Sequence, residues 1–202
     1  MLTIVLGVFV VGILCYFTYE SLKSNQMKNL CYLLLLLPFT FVQAQNFRAL
    51  DKSPMDKASF PSSYRVSEKI AVITYSRPQL RGRSFAEIVP FDKVWRTGAN
   101  EATELRVYQP IQFGDTTLKK GTYSIYTLFE KDGVSLIVNS ATNAWGAYSY
   151  DKDKDVARIR VSYTTVEDSL EAFSIAFSNN TENPKFYMGW EKIRVEIPFT
   201  VL

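Results

Sequence analysis

The feature that most constrains the fold is a series of short runs in which residues alternate between two faces. In the first run, Ile70–Tyr75, β-branched and aromatic residues continue until Ser76-Arg77-Pro78 ends it. Comparable runs follow at Thr103–Tyr108, Thr122–Phe129, Val134–Asn139, Val156–Tyr163, Leu170–Phe177 and Lys185–Ile197. Turn residues separate them, and no stretch keeps a helical period. The pattern predicts an all-β antiparallel sandwich or barrel of about eight strands. We take it to be a single jelly-roll-like β-sandwich over residues 67–202.

Two local signals refine this prediction. Asp132-Gly133 between two apolar runs is a strong hairpin signal. Ser84 followed three residues later by Glu87 is the pattern of a helix N-terminal capping box, so one short helical turn is expected there.

The front of the chain is typical of an export signal. Residues 27–44 combine Lys28, an apolar stretch and the small-residue site Val42-Gln43-Ala44, which together predict a signal peptide cleaved before Gln45. Residues 1–26 form a hydrophobic extension with two explanations: either Met27 is the true initiator, or the chain carries two tandem hydrophobic segments. We expect a periplasmic, outer-envelope or extracellular protein that meets a membrane only through these segments.

The segment between the signal and the domain is polar and punctuated by prolines. Pro54 and Pro61 lie within it, among several serines. This composition predicts a linker or loosely packed arm over residues 45–66.

The residue types that the domain lacks exclude several kinds of catalytic and metal site. The chain has no histidine, and both cysteines, Cys15 and Cys31, lie before the mature domain. Ser-His-Asp and Cys-His nucleophiles, thiol redox and the usual zinc or copper sites therefore lack their residues. A net charge of +3 gives no support for nucleic-acid binding, which needs a strongly basic face. We expect no cofactor, no metal and no nucleic-acid partner.

The stretch Val94–Thr103 concentrates special residue types and has two interpretations. As a ligand site, Trp95 offers a stacking face, while Arg96, Asn100 and Glu101 offer hydrogen-bond donors and acceptors for a sugar or small polar molecule. As a structural corner, Trp95 fills the core, Gly98 permits a tight turn, and Arg96 pairs with Glu101. Both interpretations stay open on the sequence.

Two further sets of residues are candidates for ligand binding. Arg77, Arg81 and Arg83 could join Arg96 as an anion site, or could be separate solvated arginines. The second set resembles a carbohydrate platform, although such rings also close the end of a sandwich. It consists of Trp145, Tyr148 and Tyr150.

The acidic residues suggest two kinds of site. Asp151, Asp153 and Asp155 alternate like calcium ligands, but Val156 and Ser162 stand where an EF-hand loop needs Gly and Glu, so a solvated turn is favoured. A histidine-free enzyme would need a facing carboxylate pair, as in glycoside hydrolysis. The candidates for that pair are Glu87, Glu101, Glu104 and Glu191.

Several blocks, in this order, resemble one secreted bacterial family. They are Thr74–Pro78 with Gly82-Arg83, Val94–Thr103, Gly121–Ser124, Trp145–Tyr148 and Trp190–Lys192. The blocks are similar to the domain of unknown function 2911, and the resemblance spans Ser67 to Pro198. It implies a β-rich envelope or secreted domain of Gram-negative bacteria, and it assigns no catalytic residue.

From these observations we favour a binding or structural module whose partner is a glycan or a small polar ligand. The candidate ligand-binding residues are Arg77, Arg83, Trp95, Arg96, Asn100, Glu101, Trp145 and Tyr148. The alternative is a histidine-free glycan-active enzyme that uses paired carboxylates.

Overall fold

The computed structural model describes residue 16 and residues 45–202. The hydrophobic extension and the signal peptide expected over residues 1–44 lie, apart from Tyr16, outside the described residues. The chain divides into two compact units, Met1–Arg48 and Ala49–Leu202, and the second contains the domain. Among the described residues, no helix is both long enough and apolar enough to cross a membrane.

The domain is almost entirely β-structure. Its strands are β1 (Met55–Phe60), β2 (Ala71–Ser76), β3 (Val94–Trp95), β4 (Thr103–Val107), β5 (Ile111–Phe113), β6 (Thr116–Leu118), β7 (Gly121–Glu130), β8 (Gly133–Asn139), β9 (Asp155–Val161), β10 (Tyr163–Phe177), β11 (Lys185–Pro198) and β12 (Thr200–Val201). A single helical turn, α1 (Phe85–Ile88), and a 3₁₀ turn, Lys152–Lys154, complete the elements. Strands β3, β5, β6 and β12 span only two or three residues, too few for an alternating pattern to reveal them.

The strands form open antiparallel sheets. The largest has seven strands in the order β1-β2-β4-β7-β8-β9, with β3 also pairing β7. Strands β10 and β11 pair with each other, and β12, β5 and β6 form a third sheet. The prediction of an antiparallel all-β sandwich is confirmed, and the open sheet order excludes a closed barrel.

The main core lies on the inner face of the large sheet. Inward-facing residues such as Ile73, Leu105 and Leu136 are buried together with Phe173 and Trp190 from the β10-β11 pair. Many of the core rings meet edge to face, and such pairs contribute ~0.5–1.5 kcal/mol beyond area burial. Without a disulfide in the domain, this aromatic core holds the sheets together.

The prediction of a linker over residues 45–66 is wrong for part of that range. Residues Met55–Phe60 form β1, which pairs antiparallel with β2 at the edge of the large sheet. Phe60 is fully buried against Phe177 and Phe199. Pro54 and Pro61 flank the strand rather than interrupt it, because proline is tolerated at strand ends and edges.

Both local signals are confirmed. The α1 turn begins after Ser84, whose side chain and backbone complete a capping box with Glu87. Strands β7 and β8 form a hairpin in which Glu130 faces Gly133, so only Lys131 and Asp132 lie between the strands.

A loop covers part of the outer face of the large sheet. We call residues 140–151 the covering loop. Tyr126 and Ile137 point outward from β7 and β8 and are buried beneath Ala144, Ala147 and Tyr150. Because both faces are covered, every residue of β8 is buried. This loop sets the geometry of the candidate site.

Candidate functional site

The segment Val94–Thr103, here called the Trp95 corner, folds back on itself tightly. The Thr103 N–H donates to the Arg96 carbonyl at 3.2 Å. The Thr103 hydroxyl donates to the Thr97 carbonyl at 2.6 Å. A Cβ at Gly98 would lie 3.0 Å from the Ser76 carbonyl oxygen, so this position needs glycine.

Two residues of the corner hold an unfavourable backbone conformation. Thr97 has φ of 55° and Asn100 has φ of 59°. For a β-branched residue such as Thr97 a left-handed φ costs of order 1–3 kcal/mol. Thr97 is fully buried, and its hydroxyl lies 3.2 Å from that of Thr127 on the neighbouring strand β7. The packing therefore holds the corner in one strained shape.

The covering loop is joined to this corner through its backbone. Glu101 and Trp145 face each other in an isolated antiparallel bridge. The Ala102 N–H donates to the Ala144 carbonyl at 2.9 Å, and the Gly146 N–H donates to the Asn100 carbonyl at 3.0 Å. Because residues facing each other in such a bridge project to one side, the carboxylate and the indole are neighbours.

Arg96 and Tyr148 complete the cluster around Gly146. The Arg96 guanidinium donates to the Asn100 carbonyl at 3.2 Å. A Cβ on Gly146, which has φ of +67°, would lie 3.0 Å from the Tyr148 ring and 3.1 Å from Nη1 of Arg96. Five of the eight candidate residues therefore meet here: Arg96, Asn100, Glu101, Trp145 and Tyr148.

Two of the three rings suggested as a carbohydrate platform reach solvent. The side chain of Trp145 is 57% exposed and that of Tyr148 is 85% exposed. Tyr150 instead packs under the loop against Tyr126, with ring centroids 5.1 Å apart. It supports the two exposed rings rather than extending them.

Trp95 lies on the opposite side of the corner and points inward. It is 6% exposed, and its ring stacks on Trp190 with centroids 6.0 Å apart and planes 13° apart. Phe129 and Phe173 pack against it as well. Its indole therefore has no open face for a ligand and acts as a core residue.

Arg77 and Arg83 are used elsewhere in the fold. The Arg77 guanidinium donates to Asp56 at 3.0 Å, to the Phe173 carbonyl at 3.1 Å and to Ser174 at 2.8 Å, which ties β1 and β2 to β10. Arg83 donates to the carbonyls of Leu80 and Gln79 within its own turn. Arg81 donates to Gln79 and to the Lys52 carbonyl. The hydrogen bonds of all three side chains lead away from Arg96, so the structure does not assemble the four arginines into one anion site.

The four candidate carboxylates separate into two pairs. Glu87 accepts hydrogen bonds from the backbone N–H and the hydroxyl of Ser84, and these bonds lower the pKa of its carboxyl. Glu191 accepts from the Phe85 N–H, at the start of α1. Glu101 and Glu104 instead line one cleft of about 220 Å³ on the outer face of the sheet. We call this the acidic cleft.

The acidic cleft contains residues that the sequence did not single out. Thr74 and Ser76 of β2 line it together with Asn143 of the covering loop. The Asn143 N–H donates to Glu104 at 2.9 Å. The signal that could have revealed these residues is register, since Thr74 lies opposite Glu104 across the β2-β4 pair.

The acidic run after the covering loop is structural. Asp155 accepts from the hydroxyl of Tyr150 at 2.7 Å, from Arg158 at 3.1 Å and from Asn139 at 2.8 Å. Burial, reinforced by Asp155, raises the pKa of Tyr150 to about 12. Within the described part of the chain, no group of three or more acidic, histidine or cysteine side chains is placed to hold a metal ion.

Comparisons with known proteins identify a family and nothing closer. No curated protein matches the chain, and no solved structure does. One family model, described as a protein of unknown function (DUF2911), matches residues 53–199, which include β1 as well as the corner and the covering loop. The match extends over more than half of the chain and agrees with the blocks that suggested this resemblance. The chain belongs to the DUF2911 family.

Proposed function

We propose that this protein is an exported binding module that recognises a glycan or a small polar ligand at the junction of the Trp95 corner and the covering loop. The observation that carries the proposal is the pair of exposed rings, Trp145 and Tyr148, on a loop bonded to the corner. The ligand would contact these rings together with Arg96, Asn100 and Glu101.

The chemistry of this surface fits such a ligand. An exposed indole or phenol offers a flat apolar face to the C–H side of a sugar ring, while keeping a polar group at its edge. The Arg96 guanidinium donates hydrogen bonds, and the exposed Glu101 carboxylate accepts them. One surface therefore combines stacking with directional polar contacts, as small-molecule sites do.

Hydrogen bonds within the protein hold the backbone of the site. Bonds from Ala102 and Gly146 tie the two segments together, and Thr97 is locked in the interior. A rigid site loses less conformational entropy when it binds, which favours affinity. Strained backbone at Thr97 and Asn100 is also typical of sites where shape matters for function.

The proposed location depends on the sequence of residues 27–44, which has the composition of a signal peptide. Exported protein should begin at Gln45, and N-terminal sequencing of the periplasmic or secreted fraction measures this. A chain that keeps its first 44 residues in a cytoplasmic fraction would contradict export.

Tryptophan fluorescence tests the binding site directly. Of the three tryptophans, Trp95 and Trp190 are buried and Trp145 is exposed, so an aqueous quencher reports mainly on Trp145. A bound envelope glycan should protect this fluorescence from the quencher. Calorimetry then compares the wild type with Trp145→Ala, Arg96→Ala and Tyr148→Ala, each of which should weaken binding by about tenfold or more.

A second exposed tyrosine provides the matched control. Tyr64 is 87% exposed and lies outside the site, so Tyr64→Ala should bind as the wild type does. Binding that survives both Arg96→Ala and Trp145→Ala would remove this site from consideration.

The acidic cleft supports one alternative, a histidine-free glycan-active enzyme. Its specific observation is that Glu101 and Glu104 line the same cleft. Such an enzyme needs carboxyl groups ~5–5.5 Å apart for retention or ~6.5–9.5 Å apart for inversion. Release of reducing sugar that is lost in both Glu101→Gln and Glu104→Gln would support catalysis. If the two variants release as much reducing sugar as the wild type, the enzyme alternative is excluded and only the binding function remains.

A further inference from the structure

A larger cavity of about 550 Å³ lies on the outer face of the large sheet and is basic. Ile70 and Val72 of the β2 region line it together with Tyr108. Its cationic lining residues are Lys57, Lys69 and Lys120, against the single acidic lining residue Glu68. We call it the basic cavity.

The lysines of the basic cavity are not neutralised by neighbours. Lys69 donates to the carbonyls of Pro61 at 2.7 Å and Ser63 at 2.8 Å, which position its ammonium without cancelling the charge. Lys57 and Lys120 are exposed, and no ion pair or side-chain hydrogen bond involves either of them in residues 45–202. An anion entering the cavity would therefore meet two lysine ammonium groups, those of Lys57 and Lys120, that are not held in an ion pair within the described residues.

The basic cavity adjoins the acidic cleft. Val72 lines the first, and Thr74 and Ser76 line the second, at alternate positions on the same face of β2. In the register of the sheet, Lys57 lies opposite Thr74, and Thr74 lies opposite Glu104. Neighbouring strands are ~4.8 Å apart, so the Cα atoms of Lys57 and Glu104 are ~10 Å apart.

The carboxylates of the acidic cleft can also accept further hydrogen bonds or an ion pair. The Glu101 side chain is exposed and forms no ion pair or side-chain hydrogen bond within the described residues. Glu104 accepts one backbone N–H from Asn143 and has no cation paired with it in that same part of the chain. Opposite charges thus stand unpaired in two neighbouring cavities.

We propose that the acidic cleft and the basic cavity form one groove that binds a zwitterionic ligand, with one charged group in each part. Its anionic group lies in the basic cavity, which Lys57 and Lys120 line, and its cationic group lies in the acidic cleft, which Glu101 and Glu104 line. A singly charged ligand would satisfy one end and leave the other to water, so the groove selects for both charges. The inference rests on the proposed function only in that Glu101 belongs to both sites.

A set of three tripeptides tests the charge requirement. Extended trialanine separates its ammonium and carboxylate by at most ~10 Å. N-acetyl-trialanine keeps only the anion, and trialanine amide keeps only the cation. At low ionic strength, where screening is weak, calorimetry should give trialanine an affinity at least about threefold higher than either singly charged peptide.

Variants of the groove should separate the two ends. Lys57→Gln combined with Lys120→Gln should weaken trialanine and N-acetyl-trialanine but leave the amide unchanged. Glu104→Gln, whose amide oxygen can still accept from the Asn143 N–H, should weaken trialanine and the amide only. Lys131→Gln, which lies in the β7-β8 turn, is the control for loss of a surface charge and should change none of the three.

Three outcomes would overturn the proposal: no binding by trialanine, equal binding by all three peptides, or variants that leave the ranking intact. Failure of this groove is distinguishable from failure of the glycan site. Tyr148→Ala should weaken glycan binding about tenfold or more while leaving the tripeptide ranking as it is, because Tyr148 is not part of the groove lining.

Discussion

Trp95 and Trp145 stand on two segments joined by the Glu101–Trp145 bridge, yet they face opposite environments. Trp95 is 6% exposed and stacked on Trp190, whereas Trp145 is 57% exposed. Both belong to sequence stretches with the same character, an aromatic residue beside a glycine and polar groups. The difference teaches that the face of the sheet, and not the residue type, decides whether an aromatic side chain supports the core or can meet a ligand.

The arginines repeat this contrast. The Arg77 guanidinium donates to three acceptors, and these hydrogen bonds join β1 and β2 to β10. Arg96 makes one hydrogen bond, to the Asn100 carbonyl, and lies beside the exposed Tyr148 ring. A guanidinium with three protein acceptors holds the fold together, whereas one with a single protein acceptor keeps more of its five donors for a ligand.

The largest expected effect is the loss of stability when the buried Trp95 is replaced. Trp95→Ala removes a ring from the centre of the aromatic cluster and should lower the free energy of unfolding by ~3–5 kcal/mol. Trp145→Ala should change it by no more than ~0.5 kcal/mol, because the exposed indole makes few contacts that folding depends on. Urea denaturation followed by circular dichroism measures both.

Because Trp95→Ala could prevent folding altogether, Trp95→Phe serves as the second variant. It keeps an aromatic ring in the cluster and should cost less than the alanine substitution does. Equal destabilisation by Trp95→Ala and Trp145→Ala would break the distinction between the two faces.

A glycine pair gives an effect of intermediate size. Gly146 and Gly82 both have positive φ, +67° and +79°, so alanine at either position should cost ~1–2 kcal/mol from the backbone alone. Nothing lies within 4 Å of a Cβ at Gly82, whereas a Cβ at Gly146 meets Tyr148 and Arg96 at about 3 Å. Those side chains can shift, so the two stability losses should be similar.

Ligand binding should distinguish the same two variants. Gly146→Ala displaces Tyr148 and Arg96 and should weaken glycan binding about tenfold or more, while Gly82→Ala should leave it unchanged. Calorimetry on both variants measures this difference. Normal binding by Gly146→Ala would show that these two side chains need not keep their present positions.

The smallest expected effect concerns the support beneath the exposed rings and depends on pH. Burial and Asp155 raise the pKa of Tyr150 from 10.0 to about 12. Below pH 10 the Tyr150 phenol is protonated in both the folded and the unfolded chain. Above pH 10 the unfolded chain loses this proton first, which favours unfolding. The free energy of unfolding therefore falls from about pH 10 to about pH 12. Tyr150→Phe should make this fall shallower.

Urea denaturation at several alkaline pH values measures that slope in the wild type and in Tyr150→Phe. Because burial also raises the pKa of Tyr75 and Tyr126, the informative quantity is the difference between the two proteins. Identical slopes would mean that the pKa of Tyr150 is the same in the folded and the unfolded chain.

Local patterns in the sequence were sufficient for much of the fold. The run Ile70–Tyr75 predicted β2, Asp132-Gly133 predicted the β7-β8 hairpin, and Ser84 with Glu87 predicted α1. Each signal rests on interactions between residues close in the chain, which is why it can be recognised without a structure. The short strands, and β1 inside an apparent linker, depend on distant partners and could not be recognised in this way.

The candidate site shows the same division. The residue types of the Trp95 corner and the absence of histidine, with no cysteine in the domain, determined from the sequence alone which chemistry was possible. Only the tertiary structure decided that Trp95 is buried, that Arg77 and Arg83 bind elsewhere, and that Trp145 and Tyr148 join Arg96 and Glu101. The physical reason is that a side chain's neighbours across a sheet are set by register between segments far apart in the chain. Thr74, Glu104 and Lys57 share one face through that register, and no local pattern records it.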